Sequence, residues 1–195
     1  MIQRIHALKQ HKIIWPASWD DPHVDSPIFI ASIDGTHCPI QEPTKGLPWN
    51  KNPKFMSYKF HGAALSYEVA VSIYTSQLVW INGPFPAGTQ DPEIFVLSNG
   101  LKNRIPAGKK VIADRAYGWK SLANVVRIKN RGNTAEVRMF KRQVRARMES
   151  VFAKMKVFDI LTIPFRHEQK YHGTIFEMIA VIVQYKLELV PLFDA

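Results

Sequence analysis

Two apolar runs that each stop at an aspartate constrain this chain more than any other feature. Ile28-Phe29-Ile30-Ala31-Ser32-Ile33 ends at Asp34 and is followed at once by Gly35. Val111-Ile112-Ala113 ends at Asp114, with Arg115-Ala116-Tyr117-Gly118 next. Short apolar runs rich in β-branched residues predict buried strands, which puts both aspartates at strand ends. A third acid, Glu149, stands in a helix-patterned segment with 34 residues between it and Asp114. Two carboxylates at strand ends and one on a later helix can converge on a point, and their hard oxygens suit Mg²⁺ or Mn²⁺. Such a site can run in-line attack on a phosphodiester with two metal ions. Each acid also has an ordinary role. An aspartate after an apolar run bonds nearby backbone amides in a turn, and Glu149 stands four residues after Arg145, the spacing of a surface ion pair. The three together, in their contexts, favour the metal-site reading.

Charge points the same way. Lys and Arg number 26 against 16 Asp and Glu, a formal net charge of +10 over 195 residues, which suits a polyanionic partner. Between Arg138 and Lys156 seven cations surround a single acid, Glu149, an uncommon pattern for a merely solvated helix face. Cys38 is the one cysteine, so an intramolecular disulfide is excluded and a reducing compartment is expected. It has no partner at zinc spacing, and the chain has no Walker-type phosphate loop. The N-terminus lacks the apolar core of a secretory signal. The most apolar window, Ile175 to Val183, is broken by Glu177 and too short to span a bilayer. The expectation is therefore one domain with no membrane role, not secreted.

Along the chain, residues 1–27 read as an arm or short helix plus loop. A strand is expected over 28–40, with a turn at Gly35 and a return strand cut by Pro39. Residues 41–53 read as a loop; 54–61 and 63–81 fit antiparallel strands, the second broken near Thr75-Ser76-Gln77 and closed by Asn82-Gly83-Pro84. Asp91-Pro92-Glu93 reads as a helix start with Asp91 as N-cap, and Gly100 ends that helix. Capping is favoured over a metal role for Asp91. A strand over 110–114, a short helix over 118–124, a strand at 125–128 and a turn at 130–133 come next. Helices are predicted over 134–157 and 167–189. Tyr117 and Trp119 are suited either to stack on a base or to pack the core; His37 is suited to contact substrate or metal, or to a structural role.

At about 100° per residue, Phe140, Val144, Met148, Val151, Phe152 and Met155 share one arc of the 138–156 helix. Arg138, Arg142, Arg145, Glu149 and Lys156 share the next. Glu149 thus stands at the rim of the buried face, where a helix packed on a sheet can aim it at the strand ends.

The residues around the three acids resemble the PIF/Harbinger-type DDE superfamily endonucleases. Asp34-Gly35-Thr36-His37-Cys38-Pro39-Ile40 is similar to the family's opening DGTH-x-PI motif. Gly62 to Glu68 and Trp80 to Phe85 resemble the middle of its catalytic domain. Ala113-Asp114-Arg115-Ala116-Tyr117-Gly118 is similar to the second-aspartate motif, and Arg145 to Phe152 to the helix carrying the final glutamate. Phe165-Arg166-His167, Gln184-Tyr185 and Pro191 to Asp194 resemble its end. Ala116 departs from the family, which has glycine there, and the stretch before Asp34 is shorter than the family's N-terminal helical region. The resemblance implies a ribonuclease H-like α/β (α+β) fold, a mixed sheet flanked by helices, over about 28–195. It implies catalytic, metal-holding Asp34, Asp114 and Glu149 with two Mg²⁺ or Mn²⁺ ions. It further implies DNA contacts from Lys59, Arg115, Arg138, Arg142, Arg145 and Lys156, with His37 and Asp91 as auxiliaries. A Myb-like DNA-binding partner protein, homo-oligomerisation and a nuclear (or cytoplasmic) location go with it. A domesticated, catalytically inactive binding module on the same fold is the alternative.

Overall fold

The computed structural model describes residues 2–21, 27–41, 53–118, 122, 124–127 and 134–194. Its centre is a mixed sheet. Strand β1 (Phe29–Pro39) lies between β3 (Gly62–Ser72), antiparallel to it, and β5 (Lys110–Ala113), parallel to it. Strand β6 (Val125–Arg127) pairs parallel with β5. The outer edge of β3 is shared by the two-residue β2 (Met56–Ser57) and by β4 (Leu78–Pro86). Three antiparallel strands running into a parallel pair, with the acid-bearing helix following the last strand, make this a ribonuclease H-like α/β architecture, as expected.

Helices cover both faces. Helix α3 (Ala135–Lys156) and α4 (His172–Leu189) bury Met148, Val151, Met155, Phe176, Ile179 and Val183 against Cys38, Leu65, Tyr67 and Val69 of the sheet. On the other face, Phe95 of the short α2 (Asp91–Val96) packs with Trp19, Ile33, Ala70, Ala113 and Tyr117. Strand residues alternate between these two cores, because side chains of a strand point to opposite faces with period two. N-terminal α1 (Ile2–Lys12) lies on α4, where Lys9 and Lys12 bond Glu177 and Glu188 at 2.7 and 2.8 Å. No helix among the described residues is long and apolar enough to cross a membrane.

Several local expectations are corrected. β1 runs unbroken through Gly35 to Pro39 with no return strand, because β3 pairs with it along its whole polar half. The segment 54–61 holds the end of a 3₁₀ turn (Pro53–Phe55), then β2 and a turn, so Lys59 and His61 lie in that turn, not in a strand. The break at 73–77 is found between β3 and β4. Asn82-Gly83-Pro84 does not close β4. Gly83, at φ +134°, sits in a bulge opposite Tyr67 that carries the strand on to Pro86, and a Cβ there would meet the Tyr67 ring at 2.7 Å. Helix α2 ends at Val96, and Gly100 packs under the Phe95 carbonyl, which a Cβ would meet at 2.4 Å. Helix α3 starts from Thr134, whose hydroxyl accepts the Val137 N–H. The last helix begins at His172, five residues later than expected, after a single 3₁₀ turn at Gln169–Tyr171. The predicted helix over 118–124 and turn over 130–133 fall largely or wholly outside the described residues, as does Trp119.

Candidate active site

The sheet register sets the site. Ile33 pairs with Ala113 in the last step of the parallel β1–β5 ladder. Asp34 and Asp114 are the next residues on each strand, so they stand side by side and on the same face, at the spacing of neighbouring strands, about 4.8 Å. Asp114 is at a strand end, as expected. Asp34 is not: β1 continues for five residues beyond it, paired with β3, and only at Pro39 does its other edge gain a partner, the Phe165 N–H. The site therefore opens along the edge of β1 between the end of β5 and the Phe165 contact at Pro39.

Both aspartates line a narrow cleft of about 30 Å³ with Ser32, Ile112 and the α3 residues Val144, Arg145 and Met148. That volume has room for an ion or one or two waters, not for a nucleotide. Asp34 Oδ1 accepts the Gly35 N–H at 2.8 Å, and Asp114 Oδ1 accepts the Ala116 N–H at 2.7 Å. Burial, and then the Asp114 carboxylate, push Asp34 up to about 6. Two crowded carboxylates that resist sharing negative charge are what a hard divalent cation relieves, so this donor pair fits Mg²⁺ or Mn²⁺.

Glu149 stands apart from the pair. It is on α3, one residue past Met148, but its side chain is 59% exposed and bonded to Arg145 Nε at 2.8 Å. Among the described residues, no three His, Cys, Asp or Glu side chains are close enough to hold one ion. The structure thus assembles two of the three expected carboxylates and leaves the third at the rim, on the arm of the arginine that lines the cleft.

Asp91 is not the N-cap of α2. Gln90 is, and its N–H is accepted by the Glu93 carboxylate at 3.2 Å. One residue inside the helix, Asp91 lies against Gly35, where a Cβ would come within 2.3 Å of its Oδ1. The glycine after Asp34 is needed for this approach. Burial raises Asp91, Lys59 opposes that, and Asp114 adds to it. Beneath it, on the same face of the sheet, Glu68 is 1% exposed and bound to Trp80 Nε1 at 3.0 Å. Burial pushes Glu68 up to about 8, which favours its neutral form at pH 7. Sequence reasoning missed Glu68; an acid inside the apolar run of β3 was the available signal.

The predicted cations surround this centre. Lys59 Nζ reaches the Gly35 carbonyl at 3.4 Å and lowers the Asp34 and Asp91 carboxyls. Arg115 follows Asp114 on the surface, and Arg138, Arg142, Arg145 and Lys156 are exposed along α3. His37 bonds Ser57 Oγ through Nδ1 at 2.8 Å, and burial with Lys59 and Lys156 nearby lowers it to about 4. A neutral imidazole bonded to Ser57 fits the structural role. Tyr117 is buried edge-on against Phe95, so it packs the core and stacks on no base. Ala116, where glycine is usual, is exposed; His61 is the non-glycine residue at positive φ among the described residues, so the turn after Asp114 closes without a glycine conformation. Arg147, which sequence reasoning passed over, is 2% exposed and donates to the carbonyls of Ser72, Thr75 and Phe193, fixing α3 to the β3–β4 turn and the C-terminal segment.

The profile of the DDE superfamily endonucleases matches residues 33–184, most of the chain and all three acids. The chain belongs to that family. No curated protein and no solved structure gives a significant match.

Proposed function

We propose that this DDE superfamily endonuclease domain cleaves and then joins DNA strands, as the catalytic part of a Harbinger-type transposase with two divalent ions held by Asp34, Asp114 and Glu149. The observation that carries the reading is the shared register of Asp34 and Asp114 past the last β1–β5 pair, roofed by α3. Mg²⁺ or Mn²⁺ bound there supplies the Lewis acidity that activates the attacking hydroxyl and stabilises the leaving oxygen. Asp34 and Asp114 hold the centre from the sheet. Glu149 joins them by leaving Arg145, a rotation of exposed side chains that costs only some tenths of a kcal/mol of pairing. Arg145, once released, joins Arg138, Arg142 and Lys156 on phosphate oxygens, with Lys59 and Arg115 on the other side. These contacts position the strand without reading its sequence. The family resemblance favours a Myb-like partner protein for sequence recognition, action in the nucleus and self-association on DNA ends.

The test is strand cleavage of duplex DNA in Mn²⁺ or Mg²⁺, with chelator and with D34N and E149Q as controls. Loss of at least a hundredfold in each control supports the reading; cleavage that survives both overturns it. The Arg145–Glu149 pair favours one second reading, a domesticated module that binds DNA without cutting. Binding with no metal-dependent cleavage in the unaltered chain would select it.

A further inference from the structure

A second, wider cleft of about 450 Å³ adjoins the carboxylate cleft. It is lined by His37, Tyr58, Lys59, Thr89, Asp91 and Ala116, among others. The two openings share the turn after Asp114: Asp114 lines one, and Ala116, bonded to it, lines the other. The volume lies in the range of about 300–1,000 Å³ in which small-ligand sites occur. Lys59 lines the wider cleft, and its charge lowers the carboxyls of both Asp34 and Asp91.

The aromatic at this mouth is unusual. Tyr58 is 83% exposed, and Phe60, two residues on, is 41% exposed. Both belong to the turn between β2 and β3, which is built to a definite shape: Phe60 N–H bonds the Ser57 carbonyl at 3.3 Å, and His61 takes φ +51°. A non-glycine residue at positive φ is uncommon and marks a turn held by its surroundings. That turn presents an uncovered ring, a cation and a second ring in succession. A ring with an adjacent cation is the pairing that binds single-stranded nucleic acid, because every base has a face to stack while a cation takes the phosphate. Thr89, Gln90 and Asp91 on the far wall offer donors and acceptors to a base edge.

We propose that this cleft is a subsite for one unpaired nucleotide next to the cleaved phosphate, with its base stacked on Tyr58 and its phosphate on Lys59. The proposal rests on the nuclease reading for the place of the scissile phosphate, but its test needs no cleavage. The probe is a duplex with a short single-stranded overhang carrying 2-aminopurine, compared with a blunt duplex of the same length, both in chelator.

The unaltered chain should quench the aminopurine and bind the overhang duplex about tenfold more tightly than the blunt one, the scale of one base–aromatic stack. Y58A should abolish the quench and the tenfold preference while keeping blunt-duplex affinity; Y58W should restore both. K59A should weaken both duplexes. Equal quench and equal preference in Y58A, with its circular dichroism spectrum unchanged, would overturn the proposal while leaving the nuclease reading untouched. Absence of cleavage together with a Tyr58-dependent quench would leave the subsite standing and overturn the nuclease reading instead.

Discussion

Glu149 is bonded to Arg145, one helical turn earlier on α3, and Arg145 itself lines the cleft that Asp34 and Asp114 share. The third carboxylate of the expected triad is therefore tied to a residue that lines the cleft, and the tie is weak. An exposed i,i+4 pair contributes about 0.3–0.5 kcal/mol, roughly a factor of two in an equilibrium. R145Q should accordingly tighten Mn²⁺ binding by no more than about twofold, whereas E149Q should weaken it at least tenfold. Isothermal titration calorimetry on the DNA-free chain measures both. Equal Mn²⁺ affinity in E149Q and the unaltered chain would remove Glu149 from the ligand set.

Gly35 and Asp91 form a second close relationship. A methyl group at Gly35 would sit 2.3 Å from the Asp91 carboxylate. G35A should therefore cost about 1–3 kcal/mol, the scale of overpacking in a filled site. Shortening the opposing side chain should return most of that loss, so G35A/D91A should be more stable than the sum of the single changes. Urea unfolding of the four proteins gives the coupling. Strict additivity would mean that Asp91 moves away at no cost.

How far the sequence reveals this architecture depends on which residues are asked. The stripe Val144, Met148, Val151 and Met155 on α3 is legible because its burial follows the helical period. Asp114 is legible because β5 stops where its apolar residues stop. Asp34 is misplaced by the same rule, since β3 goes on pairing with Thr36, His37 and Cys38 after the apolar run has ended. Local rules also misread Asp91. Asp-Pro is the usual signature of an N-cap and first helical residue, but the space above Gly35 draws the carboxylate to the sheet and the helix starts one residue earlier. On a helical wheel Lys141 falls inside the apolar arc of α3 and Arg147 at its edge, but a cation's usual preference for water hides that both are buried. Arg147 is buried because its acceptors, Ser72, Thr75 and Phe193, come from segments far away in sequence. No periodicity encodes those partners.

Glu68 predicts a pH dependence. Burial raises it from the ordinary 4.5 to about 8, against the bond from Trp80. Between those values the folded chain keeps a proton that the unfolded chain has released. Its contribution to stability is full below about pH 4.5, falls as pH rises, and is fully lost above about 8, a change on the order of a few kcal/mol. E68Q keeps the size and neutrality of the protonated acid and removes the titration. Thermal unfolding of the two proteins from pH 7 to 9 should show the variant gaining on the unaltered chain up to about pH 8 and levelling off beyond it. A melting-point difference that stays constant over that range would mean that Glu68 is already ionised at pH 7.

Arg142 is exposed on α3, on the arc that also carries Arg138, Arg145 and Glu149. A cation in that place acts on a polyanion through counterion release, which adds about −0.9 to the log–log slope of affinity against salt for each duplex phosphate contacted. R142A should flatten that slope by about one unit and weaken unrelated duplexes alike, because a phosphate contact carries no sequence information. Its own stability should barely change, since an exposed charge away from buried contacts contributes within about 0.5 kcal/mol. Fluorescence anisotropy on two duplexes of unrelated sequence, each across a salt series, measures slope and selectivity together. A slope equal to that of the unaltered chain would show that DNA does not lie along α3, and loss on one duplex alone would show that Arg142 reads bases.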